Sequence, residues 1–384
     1  MGKRGNGEGS VWQRKNGTWA GLLTVGRDET GKLRRISFSG KSQREVLQKI
    51  AQARAEMRQG IFVEPSKLTV GEWLETWLRE YKRPALRQEV YENYEMIIRV
   101  HLKPTLGGVL LQALRPEMVQ HLYNEKAASG LSPATVRKIH QVLHGALKQA
   151  VRNQLVARNV SEATTLPKLR QTREVRALTL EEQERFLKAL EGNRLATAFK
   201  VLLGTGLRRG ELLALTWRDV DLANATLTVR QSLVRVKGKL LLQEPKTKTS
   251  RRTIPLPDDL VAELKAHKAR QNQERLKAGP AYEDNNLVFA NELGQPLDPR
   301  SFNRWFYEIR NKAGLPKDVN LHALRHTYAT RLLERGVSLK VIQRLMGHSK
   351  FDVTADIYSH VAPELERQAV AILDDLFKKA KASS

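Results

Sequence analysis

The side chains best suited to chemistry fall into four clusters beyond residue 200. Thr205-Gly206-Leu207-Arg208-Arg209-Gly210-Glu211 reads as a glycine turn running into a helix, with Glu211 three residues after Arg208 and able to pair with it. Lys246-Thr247-Lys248 lies between strand-like runs, where lysine also commonly protects a sheet edge. His322 and Arg325 are three apart and share one face of a helix that continues through Tyr328, Ala329, Leu332 and Leu333, so both can donate to one phosphate. Gly347-His348 and Tyr358-Ser359-His360 complete the series. Taken singly, each has a plainer reading: a surface Arg–Glu pair, a solvated hairpin, a half-buried tyrosine. His322 and His326 have the spacing of a metal-binding helix, but no Glu follows the first His and no carboxylate cluster lies near, so no metal is expected.

The combination points further than its parts. A phosphodiester resists attack because negative charge builds on its oxygens, and a site without Mg²⁺ must neutralise that charge with fixed cations and hydrogen bonds. Arg208 and Arg325 suit this task, because a guanidinium fork matches two phosphate oxygens. A tyrosine hydroxyl can attack phosphorus and hold the bond energy in a phosphotyrosyl link. Protons must leave the tyrosine and reach the departing 5′ oxygen, and His322 and Lys246 have suitable chemistry for that.

Elements to position these groups are legible upstream. Residues 9–39 alternate short β-favouring runs with turn signals at Asn16-Gly17 and Thr30-Gly31, which reads as a three-stranded meander. A helix over 42–59 follows, with Val46, Leu47, Ile50, Ala53 and Met57 at spacings of three and four. Arg14, Lys15, Arg27, Arg34 and Arg35 fit either a DNA-facing sheet surface or a solvated one. Thr69-x-x-Glu72 is a capping box opening an all-helical stretch, with later helices near 89–100, 116–128 and from Pro133, the last carrying the stripe Val136, Ile139, Leu143, Leu147 and Val151. Residues 167–176 are polar and basic and read as a linker. A second capping box, Thr179-x-x-Glu182, starts a mixed segment with strand character from 225 to 256.

Composition narrows the partner. The chain has 384 residues with 66 Lys+Arg against 41 Asp+Glu, a formal charge of +25. That charge is spread, at +7 over residues 1–66, +7 over 67–170 and +11 over 171–384, so the chain is suited to surround a polyanion rather than trail a basic tail. Nucleic acid is the leading partner. No apolar run of about 20 residues is present to span a membrane, and MGKRGNGEGSVW lacks the apolar core of a secretory signal, so a cytoplasmic protein is expected. With no Cys, disulfides, thiol nucleophiles and cysteine-ligated metals are excluded.

TGLRRGELLAL, HALRHTYATRLLERG, LMGHS and IYSHV occur in an order and at spacings by which the sequence resembles the tyrosine recombinases, of the phage or conjugative-transposon integrase type. The resemblance implies a multidomain α+β protein: an arm-type DNA-binding domain at 1–63 built from a small three-stranded sheet plus a helix, a helical SAM-like core-binding domain at 67–165, a linker at 166–177, and a mainly α catalytic domain at 178–384 with a small antiparallel sheet and a C-terminal tail helix. It implies that Arg208 and Arg325 hold the scissile phosphate, His322 serves acid–base and phosphate-binding roles, and Lys246 protonates the leaving 5′ oxygen, with Lys248 the rival for that role. His348 would hydrogen-bond the phosphate, Tyr358 would be the nucleophile, and Glu211 would support the first arginine. Thr354 is followed by Ala355 where the family often has a second Thr, a change that removes no catalytic group.

Further expectations follow from the resemblance. The enzyme would need no cofactor and no metal. It would act on double-stranded DNA at core-type and arm-type attachment sites, as a homotetramer, through a Holliday junction, to integrate and excise a mobile element. An excision factor and a host DNA-bending protein are candidate accessory partners, and in a bacterial host the protein would be nucleoid-associated. A DNA-binding regulator of its own element and a type IB-like topoisomerase are the alternative readings.

Overall fold

The computed structural model describes residues 10–27, 30–60, 62–169, 176–236, 238–244 and 251–347. Lys246, Lys248, His348, Tyr358, the expected tail helix and part of the linker lie outside them. The chain divides into two compact units, Met1–Arg170 and Gln171–Ser384.

The first unit opens with an antiparallel sheet of β1 (Ser10–Gln13), β2 (Trp19–Arg27) and β3 (Leu33–Gly40), in that spatial order. Helix α1 (Gln43–Arg58) starts where the Ser42 side chain accepts from the Glu45 amide at 3.2 Å. Its Val46, Ile50 and Ala53 bury against Leu23, with Trp19, Phe38 and Met57 at the margin. Gly21 permits this approach, since a Cβ there would lie 2.8 Å from side-chain atoms of both Ile50 and Val46. The basic residues do not share one sheet face. Arg14 and Lys15 sit in the β1–β2 turn, and Arg34 and Arg35, as neighbours on β3, point to opposite faces.

A helical core follows. The capping box closes as expected, Glu72 accepting from the Thr69 amide at 2.8 Å and Thr69 Oγ1 from the Glu72 amide at 3.2 Å. Helix α2 (Val70–Thr76) widens into π-helical turns at Trp77–Lys82, and α3 (Gln88–Ile97) does the same at Ile98–Leu102 before the short α4 (Lys103–Leu106). Helices α5 (Pro116–Ala128) and α6 (Pro133–Arg152) complete the set, α6 with Ser132 as N-cap and Pro133 in the first turn. Val136, Ile139, Leu143 and Leu147 of α6 are buried, joined by Val142, Ala146 and Ala150. The buried Trp73 Nε1 donates to the Ala146 carbonyl at 2.9 Å, tying α2 to α6.

The second unit packs helices around two small sheets. Among the described residues its α-helices are α7 (Leu180–Ala189), α8 (Ala196–Thr205), α9 (Arg209–Leu213), α10 (Asp258–Ala278), α11 (Pro299–Lys312), α12 (Leu321–Glu334) and α13 (Leu339–Met346). Between α9 and α10 run β4 (Val220–Asp221), β5 (Thr226–Val229), β6 (Ser232–Val236), β7 (Lys239–Gln243) and β8 (Arg252–Pro255). Strands β4-β5-β8 form one antiparallel sheet and β6-β7 a hairpin. Phe186, Phe199, Phe302 and Phe306 bury together at the centre of the core, which Leu227, Ile254 and Leu324 extend under the strands and α12. Among the described residues, no helix is long and apolar enough to cross a membrane.

Candidate active site

Two breaks in helical structure bring the predicted arginines together. Helix α8 ends at Thr205, and Gly206 takes the left-handed conformation (φ +62°) that closes it. A Cβ at Gly206 would stand 2.5 Å from Cδ1 of Tyr328, so the ring of Tyr328 on α12 packs directly under this turn. The chain then extends through Leu207 to Arg208, which immediately precedes α9. Similarly, α13 ends at Met346, and Gly347 takes φ +63°. A Cβ at Gly347 would meet Nη1 of Arg252 at 2.9 Å.

Arg208, Glu211, Arg252 and Arg325 meet between these two turns. Glu211 is the hub, with a nearly buried carboxylate. Its Oε1 accepts from Arg208 Nη1 at 2.8 Å and Arg252 Nη1 at 3.3 Å, and its Oε2 accepts from the Arg208 amide at 2.9 Å and Arg252 Nη2 at 2.8 Å. Arg325, only 2% exposed, donates from Nη1 to the Gly206 carbonyl and from Nη2 to that of Met346 at 2.6 Å. Its buried Nε has no partner among the described residues. The Arg208 side chain is 40% exposed and so open to a ligand.

The charges are unbalanced, and that imbalance shapes the protonation states. Burial would raise the Glu211 carboxyl, but the hydrogen bond and charge of Arg252 and the charge of Arg208 outweigh it, holding Glu211 ionised with a pKa below the usual range. Three guanidinium groups against one carboxylate leave an excess of positive charge. Burial first, and then the nearby Arg208, pushes the Arg325 pKa down, yet an arginine starts so high that it stays protonated.

His322 keeps an exposed outer surface, while the protein around its ring and the charges of Arg325 and Arg208 lower its pKa, leaving a neutral imidazole at pH 7. Its amide donates to the Asn320 cap at 2.9 Å, which fixes the first turn of α12. The His322 and His326 rings lie 5.1 Å apart edge to face. No group of three or more potential metal ligands occurs among the described residues.

Of the predicted residues, Arg208, Glu211, His322 and Arg325 therefore share one neighbourhood, while Lys246, His348 and Tyr358 lie outside the described residues. Gly347 ends the described chain one position before His348. Sequence reasoning assigned no role to Arg252 or Tyr328. A signal for Arg252 existed: on β8 its side chain shares the inward face with buried Ile254, so it had to enter the core carrying a charge.

Comparison with known proteins identifies the family. The model of the phage integrase family matches residues 176–364, and that of the phage integrase N-terminal SAM-like domain matches 69–127. A tyrosine recombinase XerC-like protein of Caldanaerobacter subterraneus is 36% identical over 373 residues, covering 92% of this chain and 95% of the relative. An integrase of Streptomyces ambofaciens is 33% identical over 99% of both chains. Among solved structures, the Tn1549 transposon integrase in complex with transposon right end DNA shares the fold with a TM-score of 0.68 at 24% identity, over 79% of this chain and all of that one. A lambda integrase tetramer bound to a Holliday junction gives 0.59 at 22% identity, over 92% and 96%. The multidomain α+β fold is thus that of the tyrosine integrases, and the chain belongs to the tyrosine recombinase family of DNA strand transferases.

Proposed function

We propose that this recombinase integrates and excises a mobile element at specific DNA sites by metal-independent strand cleavage. In this reading the Tyr358 hydroxyl attacks the scissile phosphorus, the bond to the 5′ oxygen breaks, and a 3′-phosphotyrosyl link holds the energy for rejoining. Neutral His322 takes part in proton transfer, and Lys246 delivers the proton to the leaving 5′ oxygen, with Lys248 the rival for that role. Arg208 and Arg325 bind the phosphate oxygens as charge grows on them, joined by His348. The freed 5′-hydroxyl then attacks a partner duplex's phosphotyrosyl, and two such exchanges form and resolve a Holliday junction within a homotetramer. Residues 1–63 bind arm-type sites, while 67–165 and 178–384 enclose the core site. An excision factor and a host DNA-bending protein would set direction, in the cytoplasm of a bacterial host.

The observation that carries the reading is the convergence of Arg208 and Arg325, from separate elements, on one carboxylate-held cluster in which the buried Arg325 Nε has no partner among the described residues. A buried donor without an acceptor costs about 1–3 kcal/mol, a cost a phosphate oxygen would relieve. Net positive charge across the whole sequence and relatives named integrase point the same way.

A covalent-trapping assay tests it. Wild type and Tyr358→Phe are incubated in EDTA with nicked duplexes from the DNA flanking the element. An SDS-resistant adduct with wild type alone is expected. Tight, salt-sensitive binding with no adduct, even with host extract, would support the regulator alternative, and plasmid relaxation without recombinants would support the topoisomerase.

A further inference from the structure

Three consecutive backbone carbonyls at the end of α13 are each held by a different arginine. Arg252 Nε donates to Leu345 O at 2.6 Å, Arg325 Nη2 to Met346 O at 2.6 Å and Arg208 Nη2 to Gly347 O at 3.2 Å. These carbonyls lie where the helix leaves its last acceptors unpaired and its dipole is negative, so cations are the favoured partners. Arg208 and Arg325 are the phosphate-binding candidates. Arg252 is different: it is 7% exposed, its Nη1 and Nη2 both go to Glu211, and its Nε goes to Leu345. All three of its nitrogens go to protein acceptors, whereas Arg325 keeps an Nε without a partner among the described residues.

We propose that Arg252 is a positioning residue for strand cleavage, aligning Arg208 through Glu211 and anchoring the end of α13 from which the chain continues to His348 and Tyr358. This inference rests on the recombinase reading above. The planar fork is what the position demands. Two nitrogens meet both carboxylate oxygens while the third, Nε, reaches a carbonyl on another element, an arrangement a lysine ammonium cannot reproduce. Gly347 fits the same account, because a side chain there would press on Arg252. Fixing Arg208 before DNA arrives removes reorganisation from the cleavage step, and a displacement of about 1 Å in such a group can cost about 100-fold in rate.

The test uses the full chain on a nicked duplex under single-turnover conditions, with melting temperature and DNA affinity measured in parallel. Arg252→Lys should cleave about 10- to 100-fold more slowly once bound. Its DNA affinity should stay within about twofold of wild type, because the Arg252 nitrogens are held by Glu211 and the Leu345 carbonyl. Because Arg252 acts through Glu211, the Glu211→Gln/Arg252→Lys double variant should be no more than about threefold slower than the slower single variant. Wild-type cleavage by Arg252→Lys, or losses that multiply in the double variant, would overturn the proposal. Should Arg252→Lys not fold, Glu211→Gln/Arg252→Met removes both buried charges together. Slow cleavage by that folded variant supports the proposal, and wild-type cleavage by it overturns the proposal. A wild type that forms no adduct at all refutes the recombinase reading itself, which separates the two failures.

Discussion

Two buried polar clusters in this chain are built on opposite principles. In the helical part of the first unit, Tyr123 Oη and His140 Nδ1 share a hydrogen bond at 3.0 Å, and His144 Nδ1 meets Asn159 Nδ2 at 3.0 Å and Ser161 Oγ at 3.2 Å. Asn159 Oδ1 in turn accepts from the Ser161 amide and hydroxyl at 3.1 and 2.7 Å. These hydrogen bonds join uncharged polar partners to the histidines of α6 and pin 159–161 to that helix. The cluster around Glu211 instead carries surplus guanidinium charge and, among the described residues, an unpartnered Arg325 Nε. Paired, uncharged partners mark a group kept for packing. Open donors and uncompensated charge mark a group kept for something that binds.

The sharpest way to break this comparison is to remove one member of each cluster and read rate and stability separately. Arg325→Met should slow cleavage about 100- to 1,000-fold, as for loss of a donor to developing negative charge. Its stability should change little, because relief from burying a cation offsets the two carbonyls it leaves unpaired. Single-turnover trapping and thermal melting check both parts. Gly206→Ala should do the reverse. Forcing a Cβ against Tyr328 at positive φ costs about 1–3 kcal/mol of stability, and it shifts the carbonyl that holds Arg325, so melting falls first and cleavage with it.

Asn159→Ala, in the histidine-centred network, should lower stability by about 1–3 kcal/mol through unpaired His144 and Ser161 groups. Cleavage of already bound DNA should be unchanged, and a large rate loss would show that the network is not merely structural.

The smallest effect is a pH slope. His322 is held below its ordinary pKa by burial and two arginines, and His140 by burial first and His144 next. For such groups the unfolded chain binds more protons, so stability is fully present above the ordinary histidine pKa of about 6.5 and is lost as pH falls through the lowered folded value. Melting curves from pH 7.5 down to 5 should flatten partly in His322→Gln and partly in His140→Gln. Saturating phosphate-backbone ligand should reduce the slope from His322 only, because an anion beside it restores its proton affinity.

The same contrast explains what could be read in the sequence. Capped, periodic helices were legible because local rules and packing agree: both Thr-x-x-Glu boxes close, and of the α6 stripe Val136, Ile139, Leu143 and Leu147 are buried, with only Val151, at its end, half-buried. The pairing of Arg208 with Glu211 was visible because three residues separate them. Arg252 is 41 residues from Glu211 and 93 from Leu345, so its role exists only once β8 and α13 are packed. The β-region between 225 and 256 was legible as strand character, but not its division into a hairpin and a separate sheet, because pairing depends on partners distant in sequence. Arg14, Lys15, Arg27, Arg34 and Arg35 could be read as one surface only while strand register was unknown.

The residue that carries the DNA identifies the nucleophile. A wild-type adduct formed on a nicked duplex in EDTA is digested with protease and nuclease, and the residue carrying the nucleotide is located by mass spectrometry. A single modified residue, Tyr358, joined to a 3′-phosphate is expected. Attachment at any other residue, or through a 5′-phosphate, would contradict that assignment.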